Sequence, residues 1–254
     1  MEEPVRTLNR RFLLGAGLGA IALPFATAPR AWAQHAATGS CALCQQASQA
    51  FAGNTANVRP RIATSSGDAE TDRFLGLALA RLAKTFQVSP GFAFFDDSKG
   101  PTAFATSQTL VGNGPGTVMM GMRLFSQMMA RRDGGIAVIG ICAHEFAHIN
   151  QMFNGYRRRL AELDTTVKPL ELHADFLCGY HMALRKAEHP GLELKVLARE
   201  LYNMGDTEFG HPQHHGTPEE RLRALSAGFN FGKEGSRDIA RAVDAGLQFV
   251  KRSS

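Results

Sequence analysis

The chain has 254 residues, with 28 Lys and Arg against 23 Asp and Glu, for a formal net charge of +5. So small an excess, with no clustering of basic and aromatic residues, excludes nucleic acid as a partner. The length fits one domain able to bury a sizeable core behind a short leader.

Residues 1–33 read as an address. Arg10-Arg11-Phe12-Leu13-Leu14 is a twin-arginine start, an apolar segment follows to about Ala28, and Ala31-Trp32-Ala33 is a cleavage signal. The segment is broken by Pro24 and is short for a spanning helix. It is similar to Tat export signals, which carry folded proteins across bacterial inner membranes. A plain Sec signal is the rival reading, and an uncleaved inner-membrane anchor is a lesser one. The expectation is a periplasmic or extracellular protein with no stable membrane span after signal cleavage. Cleavage would leave a net charge of about +3. Residues 34–66 read as a low-complexity extension. It carries Cys41-Ala42-Leu43-Cys44, for which an oxidising compartment favours a local disulfide.

Residues 67–254 form the expected catalytic domain. An amphipathic helix is predicted over 68–86, with short strands at 92–95, 102–106, 109–111 and 117–120. The glycine-rich loop 112–116 is either a cleft gate or a plain turn. Thr117, Val118 and Met119 are expected to pair with an extended substrate backbone, as an added strand at a sheet edge. Met119, Met120, Met122, Met128 and Met129 line a groove or, more commonly for such runs, fill core. Later helices are predicted at 192–204, 218–227 and 237–251. Strands cluster early and helices late, so the class is α+β.

His144-Glu145-Phe146-Ala147-His148 is an H-E-x-x-H pattern. Residues four apart on a helix share a face, so both imidazoles can reach one metal ion. Glu145 is turned one step away, near enough to work on a water. The apolar run 136–141 before the motif makes this helix buried. Asp133 is placed to cap its start, and Asn154-Gly155 its end.

Glu171-Leu172-His173-Ala174-Asp175 supplies the next acidic pair on one helical face. Glu171 is assigned as third ligand, and Asp175 as the acceptor that orients a ligating imidazole. His173 is the rival ligand but points about 200° away from Glu171. Cys142 and Cys178 lie on these two helices as buried small residues, with a disulfide between them a lesser alternative. Thr217-Pro218-Glu219-Glu220 is a helix start with a capping box. A loop bearing His211, His214 and His215 precedes it, and Arg221 falls in its first turn.

H-E-x-x-H followed by E-x-x-A-D resembles the gluzincin zinc metallopeptidases of the CaaX-prenyl-protease and HtpX type, in their small soluble form. The resemblance extends to Phe92-Ala93-Phe94-Phe95, Thr102-Ala103-Phe104-Ala105, Thr117-Val118-Met119-Met120 and the spacing from His215 to Arg221. It covers roughly residues 68–227. Thr102 stands where Asn is common in that family, and Gly216 where Pro is usual. The resemblance implies a zincin-like fold, one Zn²⁺ per chain on His144, His148 and Glu171, and Glu145 as general base. A donor to the reaction oxyanion is also needed. His215, Arg221, Tyr180 and His211 are candidates, and the resemblance favours His215 supported by Arg221.

The leading expectation is an exported zinc peptidase acting on protein or peptide substrates of the cell envelope. The competing expectations are a zinc-stabilised binding or chaperone-like protein and a zinc hydrolase of non-peptide amides or esters.

Overall fold

The computed structural model describes residues 62–195, 197–199, 206–209 and 211–253. The address segment, Cys41, Cys44 and part of the helix expected at 192–204 lie outside the described residues. Helix α1 spans Ala69–Phe86, and its Asp68 cap accepts the Thr71 amide at 2.7 Å. Phe74, Leu75, Ala78, Leu82 and Phe86 form its buried stripe. That spacing is the helical period the sequence displays.

Three strands follow, β1 (Gly91–Phe95), β2 (Ala103–Thr106) and β3 (Thr117–Gly121). Their order is β1-β3-β2, with β1 parallel and β2 antiparallel to β3. This corrects the substrate-pairing role expected of Thr117, Val118 and Met119. Their strand is central, both its edges are already hydrogen-bonded, and all three residues are fully buried. No backbone group of β3 is left to receive a further strand. The strand expected at 109–111 is also absent. The Thr117 hydroxyl takes the Leu110 amide at 2.9 Å and donates to the Gln108 carbonyl at 2.8 Å, while β2 holds the ladder position beside β3.

The glycine loop is a packed turn. Gly116 has φ +71°, and a Cβ on it would lie 2.4 Å from the Thr106 carbonyl oxygen. Met119, Met120 and Met128 are core filling. Asp97 ties the sheet to helix α2 (Met122–Met129), its carboxylate accepting the Arg123 and Leu124 amides at 2.7 and 3.0 Å.

Helix α3 (Gly134–Phe153) is buried almost all round, as its composition predicts. Asp133 precedes it without a side-chain capping bond, and Gly155 closes it at φ +77°. A short α4 (Tyr156–Ala161) leads to α5 (Lys168–Glu188), α6 (Pro218–Lys233) and α7 (Ile239–Ser253). The capping box at Thr217 and Glu220 forms as expected.

Helices α5 and α6 cross at backbone contact. A Cβ on Gly179 would sit 2.0 Å from the Leu225 carbonyl oxygen, and one on Gly228 would sit 1.8 Å from that of Phe176. Only glycine at these positions allows so close an approach. Cys142 and Cys178 are buried free thiols, so no disulfide joins them. The Cys178 thiol turns instead to the Gly140 carbonyl at 3.3 Å. The class is α+β, a small mixed sheet with mostly helices. Among the described residues no helix is long and apolar enough to cross a membrane.

Candidate metal centre

Helix α3 supplies two imidazoles and α5 one carboxylate. His144, His148 and Glu171 are all buried, and one ligand atom from each lies within 4.8 Å of the others. The two Nε2 atoms are 3.1 Å apart. Glu171 Oε2 is 3.2 Å from His144 Nε2, and Oε1 is 3.4 Å from His148 Nε2. Ligands at zinc distances around a tetrahedral ion are separated by about 3.3 Å. The nitrogen pair, and each nitrogen with its nearer Glu171 oxygen, are spaced close to that edge length. Two neutral nitrogens and one carboxylate oxygen are also a donor set that suits zinc.

Each imidazole is aimed by its other nitrogen. His144 Nδ1 donates to Asp175 at 2.9 Å, as expected from the spacing. His148 Nδ1 donates to the Gln151 side-chain oxygen at 2.9 Å. Gln151 in turn donates to the Leu170 carbonyl at 2.9 Å and to His173 Nδ1 at 3.1 Å. His173 Nε2 ends the chain on the Val243 carbonyl at 3.1 Å. His173 is thus a buried link with both nitrogens engaged, outside the metal triangle. Burial lowers its pKa to about 4 and keeps it neutral, as this chain of bonds requires.

Arg221 grips Asp175 with two bonds, Nε to Oδ2 at 2.7 Å and Nη2 to Oδ1 at 2.9 Å. Its Nη2 is also 3.6 Å from Glu171 Oε2. The expected oxyanion role of Arg221 is corrected here: its guanidinium, 2% exposed, is committed to the two carboxylates behind the triangle. It is a positioning residue. Burial opposes the charge on Asp175, but Arg221 and His144 outweigh it and hold the carboxyl below its usual range. Burial likewise opposes the charge on His144. Its bonds to Asp175 and Glu171 prevail and raise its pKa to about 9 in the metal-free protein.

Glu145 is 7% exposed, and its Oε2 has no hydrogen-bond partner among the described residues. Burial raises its pKa, against the pull of His144 and His148. A lone carboxylate oxygen beside a two-histidine site is placed to accept a proton from a water or substrate. It is also a buried polar atom that the described residues leave unsatisfied.

Two of the late histidines gather on Asp206. Asp206 accepts from the Nδ1 atoms of both His214 and His215, the latter at 3.1 Å, and from the His215 amide at 2.8 Å. The Nε2 atoms of both rings are buried without partners among the described residues. The loop is fastened to the start of α5, where the Val167 amide donates to the Pro212 carbonyl at 3.1 Å. His211 is exposed. Tyr180 is fully buried, its ring against Phe231 and its hydroxyl unpartnered among the described residues.

Sequence reasoning missed Gln151 and Asp206. Gln151 was within reach, three residues after His148 and polar inside a buried helix. Asp206 lies nine residues before His215 in a segment without periodicity. Gln151→Leu should weaken metal binding about 10- to 100-fold, because His148 loses the acceptor that fixes its ring. Competition with a chromogenic chelator reads this directly, and an unchanged constant removes Gln151 from the site. No protein-family profile, curated protein or solved structure matches this chain.

Proposed function

We propose that this protein is a zinc-dependent peptidase with a zincin-like site, exported to the cell envelope. The observation that carries the reading is the buried triangle of His144, His148 and Glu171 with an unpartnered Glu145 carboxylate oxygen beside it. When bound, a zinc ion polarises a scissile carbonyl and acidifies a water molecule. Glu145 accepts the proton of the attacking water and hands it to the departing amine. Asp175 and Gln151 keep both imidazoles turned with Nε2 inward. Arg221 anchors Asp175 and Glu171 in place. His215, held by Asp206 with its Nε2 uncommitted, is the proposed donor to the developing oxyanion.

The purified mature chain should bind one zinc, cleave casein or a quenched peptide, and lose both properties in Glu171→Ala. Zinc affinity should also rise with pH up to about 9, since His144 holds a proton below that value and metal must expel it. A protein that binds no metal at pH 8, or binds it equally well at pH 6 and pH 8, contradicts the proposal.

A further inference from the structure

The face of α5 opposite α6 carries a second polar site. His181 is 1% exposed, its ring stacks on Phe86 at 6.0 Å between centroids, and its Nδ1 meets the Thr85 hydroxyl at 3.1 Å. Its Nε2 is buried with no partner among the described residues. Arg81 of α1 and Arg185 of α5 line the same small cavity as His181, closed by Phe74, Leu77 and Ile139. The cavity is about 20 Å³, the room of one oxygen-sized group. Thr85 is outside the lining, so the ring edge left for the cavity is the one with Nε2.

Two like charges and an unsatisfied ring nitrogen around one opening are costly unless something answers them. Arg185 is answered in part by Glu188 near the end of the same helix. Arg81 has no carboxylate partner among the described residues. Burial, reinforced by both arginines, lowers the His181 pKa to about 3, so the ring is neutral with a single proton. An anion in the cavity selects the tautomer in which the Thr85 hydroxyl donates to Nδ1 and the ring proton sits on Nε2 as a donor.

We propose that Arg81, Arg185 and His181 form a binding site for a small oxyanion, which places one oxygen in the cavity and bridges α1 to α5. The site shares no residue with the metal centre and lies about 15 Å along α5 from Glu171. It holds whether or not the protein is a peptidase. One oxygen accepts from Nε2–H, and the two guanidinium groups take the remaining negative charge through charge-assisted bonds. The apolar walls lower the local dielectric and strengthen each of these bonds.

The full-length protein is titrated with sodium phosphate, sodium acetate and sodium chloride at matched ionic strength. Tm and the imidazole NMR signals of His181 are followed together. Phosphate or acetate should raise Tm saturably and move the His181 signals over the same concentration range, with chloride doing neither. Arg81→Gln should weaken this binding at least about tenfold. Glu188→Gln should tighten it by releasing Arg185, and Glu171→Ala should leave it intact. The proposal is overturned if no saturable response occurs or if chloride reproduces it. It is equally overturned if the response persists in Arg81→Gln or disappears in Glu171→Ala.

Discussion

Glu145→Gln should leave zinc bound and lower peptide hydrolysis by about 10²- to 10⁴-fold, the usual contribution of a positioned base. The substitution keeps volume and removes only the basic oxygen. None of the three ligand atoms belongs to Glu145, so metal content should stay at one per chain. Oε2 has no partner among the described residues, so none of their hydrogen bonds is lost. Stability should even rise in the metal-free protein. A carboxyl whose pKa is raised by burial weakens the fold at pH values above its unfolded pKa, where the unfolded chain ionises more readily. Gln has no such charge to bury. The expected outcome is therefore an inactive, metal-loaded variant that melts no lower than wild type. Activity that survives the change would defeat the peptidase mechanism, whereas loss of metal would make Glu145 part of the cage.

Arg221→Met should be the most damaging single change outside the ligands, costing about 3–5 kcal/mol. Asp175 has a side chain with no exposure, and Arg221 grips both of its oxygens, with the His144 ring as its other charged partner in the metal-free protein. Removing the guanidinium strands a buried carboxylate with one imidazole. Adding Asp175→Asn to Arg221→Met should recover part of the lost stability, because no uncompensated charge remains, but not the metal affinity. Urea unfolding in chelator separates the two effects. A loss below about 1 kcal/mol for Arg221→Met would mean that water or another group compensates Asp175.

How far the site could be seen in advance depended on the range of each contact. His144 and His148 are one helical turn apart, as are Glu171 and Asp175, so period alone puts each pair on one face. Their meeting across α3 and α5 follows from two buried polar faces each needing the other. The capping box at Thr217 is likewise a local pattern. Arg221 was noticed but given the wrong task, because its bond to Asp175 spans 46 residues and leaves no periodic trace. The Val243 carbonyl that ends the Gln151 chain is a backbone atom, which no side-chain pattern announces. Strand β3 was misread for a different reason. Its apolar run marks burial, and burial is what a central strand and a covered cleft strand have in common. Strand order, which decides between them, comes from the crossover that lays β3 between β1 and β2. The two thiols on α3 and α5 showed the opposite lesson, since neighbouring helices alone do not bring two sulfurs into bonding geometry.

The glycine crossing of α5 and α6 has a thermodynamic corollary. Glu171 and Asp175 ride on one of these helices and Arg221 on the other, locked backbone to backbone through Gly179 and Gly228. The carboxylates and their guanidinium clamp thus share one closely packed helix pair, while the imidazoles belong to α3. An ion held by all three residues would therefore staple that helix pair to α3, and chelation should lower Tm as the staple is lost.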